Sequence, residues 1–233
     1  MSVPAAGEPR VAVVVPVYGN EATLAELAGR LGAALVGRSW RLRLVVDASP
    51  DGSAAVAAAL ADDDPRIGVT VLTVNGGQHA ALARGLADEA DADVWVCLDA
   101  DLQDPPEAVP LLLDRLACGD VEAVFAGRRG RYESPLRRLT GTLHRRVAGT
   151  LTGLPPDAGA FLALGPVVRA AVLSGVRDRG APSVVLAVGR SGRPVTSVPV
   201  TRARRPVGRS AWTAGARVRQ SARSLAWAVR TRR

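Results

Sequence analysis

Residues 11–35 read VAVVVPVYGNEATLAELAGRLGAAL, an apolar run, a short polar stretch, and then Leu24, Leu27, Leu31 and Leu35. The run from Val11 to Val15, closed by Pro16, has the length and Val content of a strand buried on both faces. From Thr23 to Leu35 the leucines recur at helical spacing and form one apolar stripe. A fully apolar strand feeding an amphipathic helix is the repeating unit of a parallel sheet with covered faces. The unit recurs with a strand at Leu42 to Val46 and a helix from Ser53, then a strand at Val69 to Val74 and a helix from Gln78. A fourth strand, Val94 to Leu98, precedes a helix that opens at Pro105-Pro106 and runs to about Ala117. This alternation predicts an α/β domain with a mostly parallel sheet and helices on both faces.

Ligands of such sheets bind beyond the carboxyl ends of the strands. Each predicted strand end here carries polar residues: Tyr18 to Glu21, Asp47 to Asp51, Asn75 to His79, and Asp99 to Asp101. The second half is less regular. It predicts a strand at Val121 to Ala126, a basic helix near Leu136 to Leu151, a short apolar segment at Ala160 to Leu164, and a strand near Val195 to Val200.

With 233 residues the chain fits one well-buried domain and a C-terminal appendage. Apolar residues make up 48% of it but aromatics only 3%, so the core is built from Val, Leu and Ala. The net charge of +8 comes from arginine alone, since there is no lysine, and the arginines gather from Arg128 to Arg146 and from Arg202 to Arg233. Such clustering fits a phosphate-rich partner, whether nucleic acid, an anionic lipid surface or a phosphorylated substrate; solvated arginine helices are the plainer alternative. Cys97 and Cys118 lack zinc-ligand neighbours and read as buried thiols in a reducing compartment. Met1 to Arg10 has no secretory pattern and no stretch reaches the roughly 18 apolar residues of a membrane span, so a cytoplasmic location is expected.

The segment Val96 to Glu107, VCLDADLQDPPE, carries the sharpest chemistry. Two acids flanking one small residue at a strand terminus can hold a hard divalent ion. A nucleoside diphosphate is a poor leaving group until such an ion neutralises it. Taken alone, Asp-x-Asp also serves as a capped turn.

The string Leu98 to Glu107, LDADLQDPPE, resembles the metal-site motif of family-2 glycosyltransferases that act on polyprenyl phosphates, such as dolichyl-phosphate mannose synthases and undecaprenyl-phosphate sugar transferases. VVVPVYGNEATL, Val13 to Leu24, resembles that family's opening strand and nucleotide loop. NGGQHAALARGL, Asn75 to Leu86, resembles the aminoarabinose transferase branch. The resemblance runs from about Val11 to Val229 and implies a GT-A-type, Rossmann-like fold. It implies that Pro16, Tyr18, Glu21 and Asn75 contact a nucleotide-sugar donor and that Asp47 contacts the base or ribose. Asp99 would lie at the nucleotide and the metal, with Asp101 and Gln103 as further ligands to Mg2+ or Mn2+. Arg128, after the fifth strand, and Arg205 and Ser210, in a basic loop with Gly-x-Ser, are implied to hold an acceptor or diphosphate. Asp157 matches an Asp-x-Gly near the family's reaction centre, so Asp157 and Arg128 are the catalytic candidates.

Plainer readings accompany several of these residues. Tyr18 and Glu21 can cap a strand, Asn75-Gly76 can be a turn, and Asp157 after Pro155-Pro156 is ordinary turn chemistry. His79 is not assigned as a base, because its charge would sit unfavourably at a helix start. The chain also departs from the family. Val46-Asp47-Ala48-Ser49 stands where the family reads Asp-Asp-Gly-Ser, and Phe161 to Leu164 lacks an expected Arg. Gln220 to Arg223 is followed by Ser224 rather than the Trp of polymer synthases, which argues against processive synthesis.

The implied function is inverting transfer of one sugar from a UDP- or GDP-sugar to a polyprenyl phosphate, with a divalent metal. A phosphomonoester, with its second pKa near about 6, is mostly ionised at neutral pH and attacks without a dedicated base. The rivals are the same chemistry on a soluble or protein acceptor, and a catalytically impaired protein that binds membrane or nucleic acid; nucleic acid is not an expected partner of the enzyme. The expected organisation is a tail at 1–10, a glycosyltransferase domain at 11–211 and an Arg-rich amphipathic helix at 212–233. That helix, with Trp212 and Trp227 among arginines, would either dock peripherally on the inner face of the cell membrane or pack on the domain.

Overall fold

The computed structural model describes residues 8–129, 152–203, 223–224 and 226–231. In chain order these form β1 (Val11–Val17), α1 (Leu24–Ala34), β2 (Trp40–Asp47), α2 (Ser53–Asp63), β3 (Ile67–Leu72), α3 (Gln78–Asp88) and β4 (Val94–Cys97). A 3-10 turn at Pro106–Ala108 leads into α4 (Val109–Ala117), followed by β5 (Ala123–Arg129), β6 (Leu162–Leu164), α5 (Pro166–Arg179), α6 (Val184–Gly189) and β7 (Val195–Thr201). The predicted strand and helix pairs are present. The third strand lies two residues earlier than predicted, which leaves Val74 in the following loop and exposed.

The strands form one sheet in the order β3-β2-β1-β4-β6-β5-β7. β6 runs antiparallel to both β4 and β5, and every other described strand runs the same way. The alternation of β1 explains the two layers. Val11, Val13, Val15 and Val17 face a core shared with Leu24, Leu27 and Leu31 of α1 and Val109, Leu112 and Leu113 of α4. Ala12 and Val14 face a second core shared with Ala81, Leu82 and Leu86 of α3 and Val168 and Val172 of α5. Because both faces are covered, the strand has no polar side and reads as a continuous apolar run.

α5 and α6 were not anticipated, although the signals at the ends of α5 are local ones. Pro166 occupies its first turn and Gly180, at φ 59°, caps its C-terminus in the left-handed region. Residues 223, 224 and 226–230 are helical, and Trp227 is buried in the second core with its indole N–H donating to the Arg179 carbonyl at 2.8 Å. The expected basic helix near 136–151, Trp212 and most of the segment 213–229 lie outside the described residues. One expectation about the thiols is corrected: Cys97 is buried, but Cys118, just past the end of α4, is exposed. Among the described residues no helix is long and apolar enough to cross a membrane.

Candidate active site at the carboxyl ends of the strands

The strand order turns at β1, which has β2 on one side and β4 on the other. Such a switch point opens a crevice beyond the strand ends. Pairing between β1 and β2 continues to Val17↔Val46, whereas pairing between β1 and β4 stops at Val14↔Cys97. Leu98 N–H still donates to the Val14 carbonyl at 3.1 Å, but Pro16, buried within β1, has no N–H to extend that ladder. The chain is thereby released from the sheet at Asp99.

Four loops on this rim hold one another through side chains. The first and second are joined where Gly19 N–H donates to Ser49 Oγ at 2.8 Å and Gly52 N–H donates to Glu21 Oε2 at 2.9 Å. Glu21 lies so close over Gly52 that a Cβ there would sit 2.7 Å from its carboxylate. Asp51 braces the same corner by accepting from the hydroxyls of Ser49 and Ser53, each at 2.6 Å. Partial burial opposes its charge, but these hydroxyls, with the backbone N–H groups of Glu21 and Ser53, hold its pKa down to about 2.

The second and third loops meet at Asp47, which is buried and accepts from Gly76 N–H and Gly77 N–H, each at 2.7 Å, one on each carboxylate oxygen. Asn75 donates its side-chain N–H to the Asp47 carbonyl at 3.3 Å. The third and fourth meet where Gln78 Nε2 donates to Asp99 Oδ1 at 2.6 Å. The ring closes from the fourth to the first, since the Thr23 hydroxyl donates to the Ala100 carbonyl at 2.7 Å.

The Asp99–Asp104 loop is also clamped from its far side. Asp101 Oδ1 accepts from Gln103 N–H at 3.1 Å, and Leu102 between them is buried at φ 57°. Asp104 is 2% exposed and receives a two-pronged ion pair from Arg202, just past β7, with Nε–Oδ1 2.6 Å and Nη2–Oδ2 2.9 Å. Beside it, Ala203 N–H donates to the Gln103 carbonyl at 2.8 Å. Burial works against the Arg202 charge, yet Asp104 first, and then Asp99 and Asp101, raise its pKa above the usual arginine value. Burial together with the Asp99 charge pushes the Cys97 thiol up to about 12, so it stays protonated.

The donor set fits a hard cation held jointly with a ligand. Among the described residues no cluster of three or more His, Cys, Asp and Glu side chains forms an all-protein cage. Mg2+ is ordinarily held beside substrate phosphates by one or two carboxylates, a number that Asp99 and Asp101 match.

Farther along the sheet, Gly127 and Arg128 lie at the carboxyl end of β5, with Arg128 opposite Val200 of β7. Asp157 is half-buried against this strand, and a Cβ at Gly127 would lie 2.3 Å from its Oδ2. Its segment is also a turn, with Ala158 N–H donating to the Pro155 carbonyl at 3.1 Å. The turn brings the Asp157 carboxylate up to Gly127. Arg205 and Ser210 lie outside the described residues. Tyr18 is exposed on the rim, 42% accessible. His79 has a buried Nδ1 without a hydrogen-bond partner, and burial lowers its pKa to about 4. A neutral imidazole at a helix start removes the repulsion expected there.

The departures have structural consequences. Val46, where the family carries its first acid, is buried in the sheet core beside Val17. Ala48, where the family carries Gly, has φ 49° in the left-handed region. Sequence reasoning missed three contributors to the site: Thr23, Gln78 and the Asp104–Arg202 pair. Asp104 was visible inside the quoted motif, but nothing local marks a partner 98 residues away.

Residues 12–160 match the family model described as Glycosyl transferase family 2. The chain is 35% identical over 208 residues to undecaprenyl-phosphate 4-deoxy-4-formamido-L-arabinose transferase of Pseudomonas aeruginosa, covering 88% of this chain and 60% of that protein. A protein of the same name from Shewanella sediminis is 38% identical over 156 residues, covering 65% of this chain and 46% of the relative. This chain therefore spans less than two thirds of the length of these relatives. Among solved structures, glucosyl-3-phosphoglycerate synthase of Mycobacterium tuberculosis with Mn2+, UDP and glucosyl-3-phosphoglycerate superposes with a TM-score of 0.67 at 20% identity, over 96% of this chain and 80% of that one. A Pyrobaculum calidifontis mannosyltransferase with GDP-Man and Mn2+ also gives 0.67, at 19% identity, over 96% and 65% of the two chains. Both confirm the fold.

Proposed function

The chain belongs to glycosyl transferase family 2, and from that premise we propose that it moves one sugar, with inversion, from a UDP- or GDP-sugar to a polyprenyl phosphate. The observation that carries this reading is the hydrogen-bonded ring of loops at the β1–β4 switch point, with Asp99-Ala100-Asp101 in its fourth loop. Tyr18, Glu21, Asp47, Asn75 and Asp99 line or brace the donor side, with Pro16 shaping the strand end. The name of the Pseudomonas relative supports a lipid phosphate acceptor, and the ligands of the two solved neighbours support a nucleotide donor and a divalent ion.

Asp99, Asp101 and Gln103 would hold Mg2+ or Mn2+, which when bound neutralises the charge gathering on the leaving diphosphate. An oxygen of the acceptor phosphate forms the new bond to the anomeric carbon as the bond from that carbon to the nucleoside diphosphate breaks. The ionised phosphate brings its own nucleophile, so no residue has to remove a proton. Arg128, Arg205 and Ser210 are assigned to hold acceptor or diphosphate oxygens, and Asp157 to the neighbourhood of the reacting carbon, supported by its contact with Gly127.

A polyprenyl phosphate resides in a membrane, and the arginine-rich segments of the sequence fit peripheral association with its anionic face. Trp227 is buried in the domain and is not a lipid anchor. Incubating the protein with nucleotide sugars, Mn2+ and polyprenyl phosphate tests the proposal. Sugar extracted into organic solvent is the expected result; sugar transferred only to water-soluble products overturns the lipid acceptor, and no donor turnover with any acceptor overturns the enzyme reading.

A further inference from the structure

The buried pair between Asp104 and Arg202 lies outside the roles assigned so far, yet it touches the loop that matters most. A two-pronged arginine–carboxylate contact at 2.6 and 2.9 Å, with the two side chains only 8% and 2% exposed, fixes direction as well as distance. The neighbouring Ala203 N–H to Gln103 carbonyl bond fastens the same loop one residue earlier. On the opposite side Thr23 holds Ala100, so Asp101, Leu102 and Gln103 form a short span anchored at both ends. Leu102 within that span is in the left-handed region, which a non-glycine residue adopts only when its surroundings impose it. Two charges are costly to bury, and an apolar pair would often serve stability as well. A loop that must present two carboxylates in a set geometry supplies a reason to keep them.

We propose that Arg202 is a positioning residue: through Asp104 it sets the geometry of the Asp99–Gln103 loop and hence the affinity of that loop for a divalent cation and a nucleoside diphosphate. The role rests on the reading of Asp99, Asp101 and Gln103 as the cation site. Arg202 itself touches neither cation nor nucleotide in this role, and a second cation beside Asp99 and Asp101 would lower metal affinity if charge alone mattered. Loss of geometry and loss of charge therefore act in opposite directions.

The test uses the full chain, UDP and GDP, and Mn2+ titrated by calorimetry, with amide hydrogen exchange across residues 99–104. Arg202→Lys keeps the charge but not the fork. Asp104→Leu with Arg202→Met removes both charges and leaves no buried ion unpaired, so it guards against simple unfolding. Each variant is expected to melt near the wild-type temperature, to exchange faster across 99–104 but not across β1 and β2, and to bind nucleotide with Mn2+ about 10-fold or more weaker, the scale on which supports behind metal ligands act. Wild-type affinity and wild-type exchange in both variants would overturn the positioning role while leaving the cation site standing. Wild-type protein that binds neither UDP nor GDP with Mn2+ overturns the cation site itself, and the inference with it.

Discussion

Asp157 and Gly127 stand in a relation that only glycine allows, because a Cβ at position 127 would lie 2.3 Å from Asp157 Oδ2 and 3.2 Å from the Val198 carbonyl. The missing Cβ leaves the carboxylate room at the end of β5. Gly127→Ala is expected to push Asp157 away and lower turnover by about 100-fold, the scale of an ångström-level misplacement. Asp157→Ala should lower turnover more than donor affinity, and the double variant should be no slower than Asp157→Ala. Steady-state rates set beside UDP-sugar or GDP-sugar binding decide this; unchanged turnover in Asp157→Ala returns the residue to its turn.

Asp101→Asn should abolish transfer and metal-dependent nucleotide binding while leaving the thermal transition in place. The side chain is only half-buried at a loop, so little packing is lost. Calorimetric titration with and without Mn2+ checks it, and wild-type affinity in the mutant would show that Asp101 is no ligand.

Ala48 holds a left-handed conformation at φ 49°, a region that costs a residue with a Cβ about 1 kcal/mol or more. Glycine relieves that strain but adds freedom to the unfolded chain. Ala48→Gly should therefore stabilise by about 0.5 kcal/mol on balance. A rise in the urea midpoint at unchanged slope is the expected readout, and a fall would mean that the Ala48 methyl packs better than its backbone suffers.

Asp51 predicts an acid dependence of known sign. Its folded pKa is about 2 against an ordinary value of 3.8, so it contributes stability that is fully present above 3.8 and lost as pH falls towards 2. The stability difference between wild type and Asp51→Asn should be constant at neutral pH and shrink across that window. Urea unfolding at stepped pH measures it; a difference that grows on acidification contradicts the hydrogen-bond account.

Vesicle binding separates arginine from tryptophan. The protein should float with anionic vesicles at low salt, fail to do so with neutral ones, and lose binding as salt rises. Replacing exposed Arg223 and Arg230 by Gln should weaken flotation by about 1 kcal/mol each, whereas Trp227→Phe should leave it unchanged because that ring faces the core. Loss of binding in Trp227→Phe at an unchanged melting temperature would place the ring in lipid instead.

The parallel half of the sheet was legible because its strands are buried on both faces, and a run such as Val11 to Val17 has little other physical use. The place of Asp99 and Asp101 on the rim was legible because these acids follow directly on an apolar strand. What stayed hidden depends on contacts between distant segments. Asp104 and Arg202 look like any two surface charges until β7 is placed beside the rim, and Thr23 looks like a helix start rather than a brace on Ala100. β6 is a three-residue strand, too short to reveal that it runs against its neighbours. α5 escaped because its buried positions are few and small, Val168, Val172 and Gly175, among several arginines.

The ring of loops also bears on the thermodynamics of ligand capture. Segments that would otherwise sample many conformations are tied to one another when the domain folds, at Gly19 and Ser49, Asp47 and Gly76, Gln78 and Asp99, and Thr23 and Ala100. The conformational entropy of this rim is therefore surrendered in folding rather than in binding. A donor arriving at such a rim can turn more of its contact energy into affinity, because less is consumed in freezing backbone.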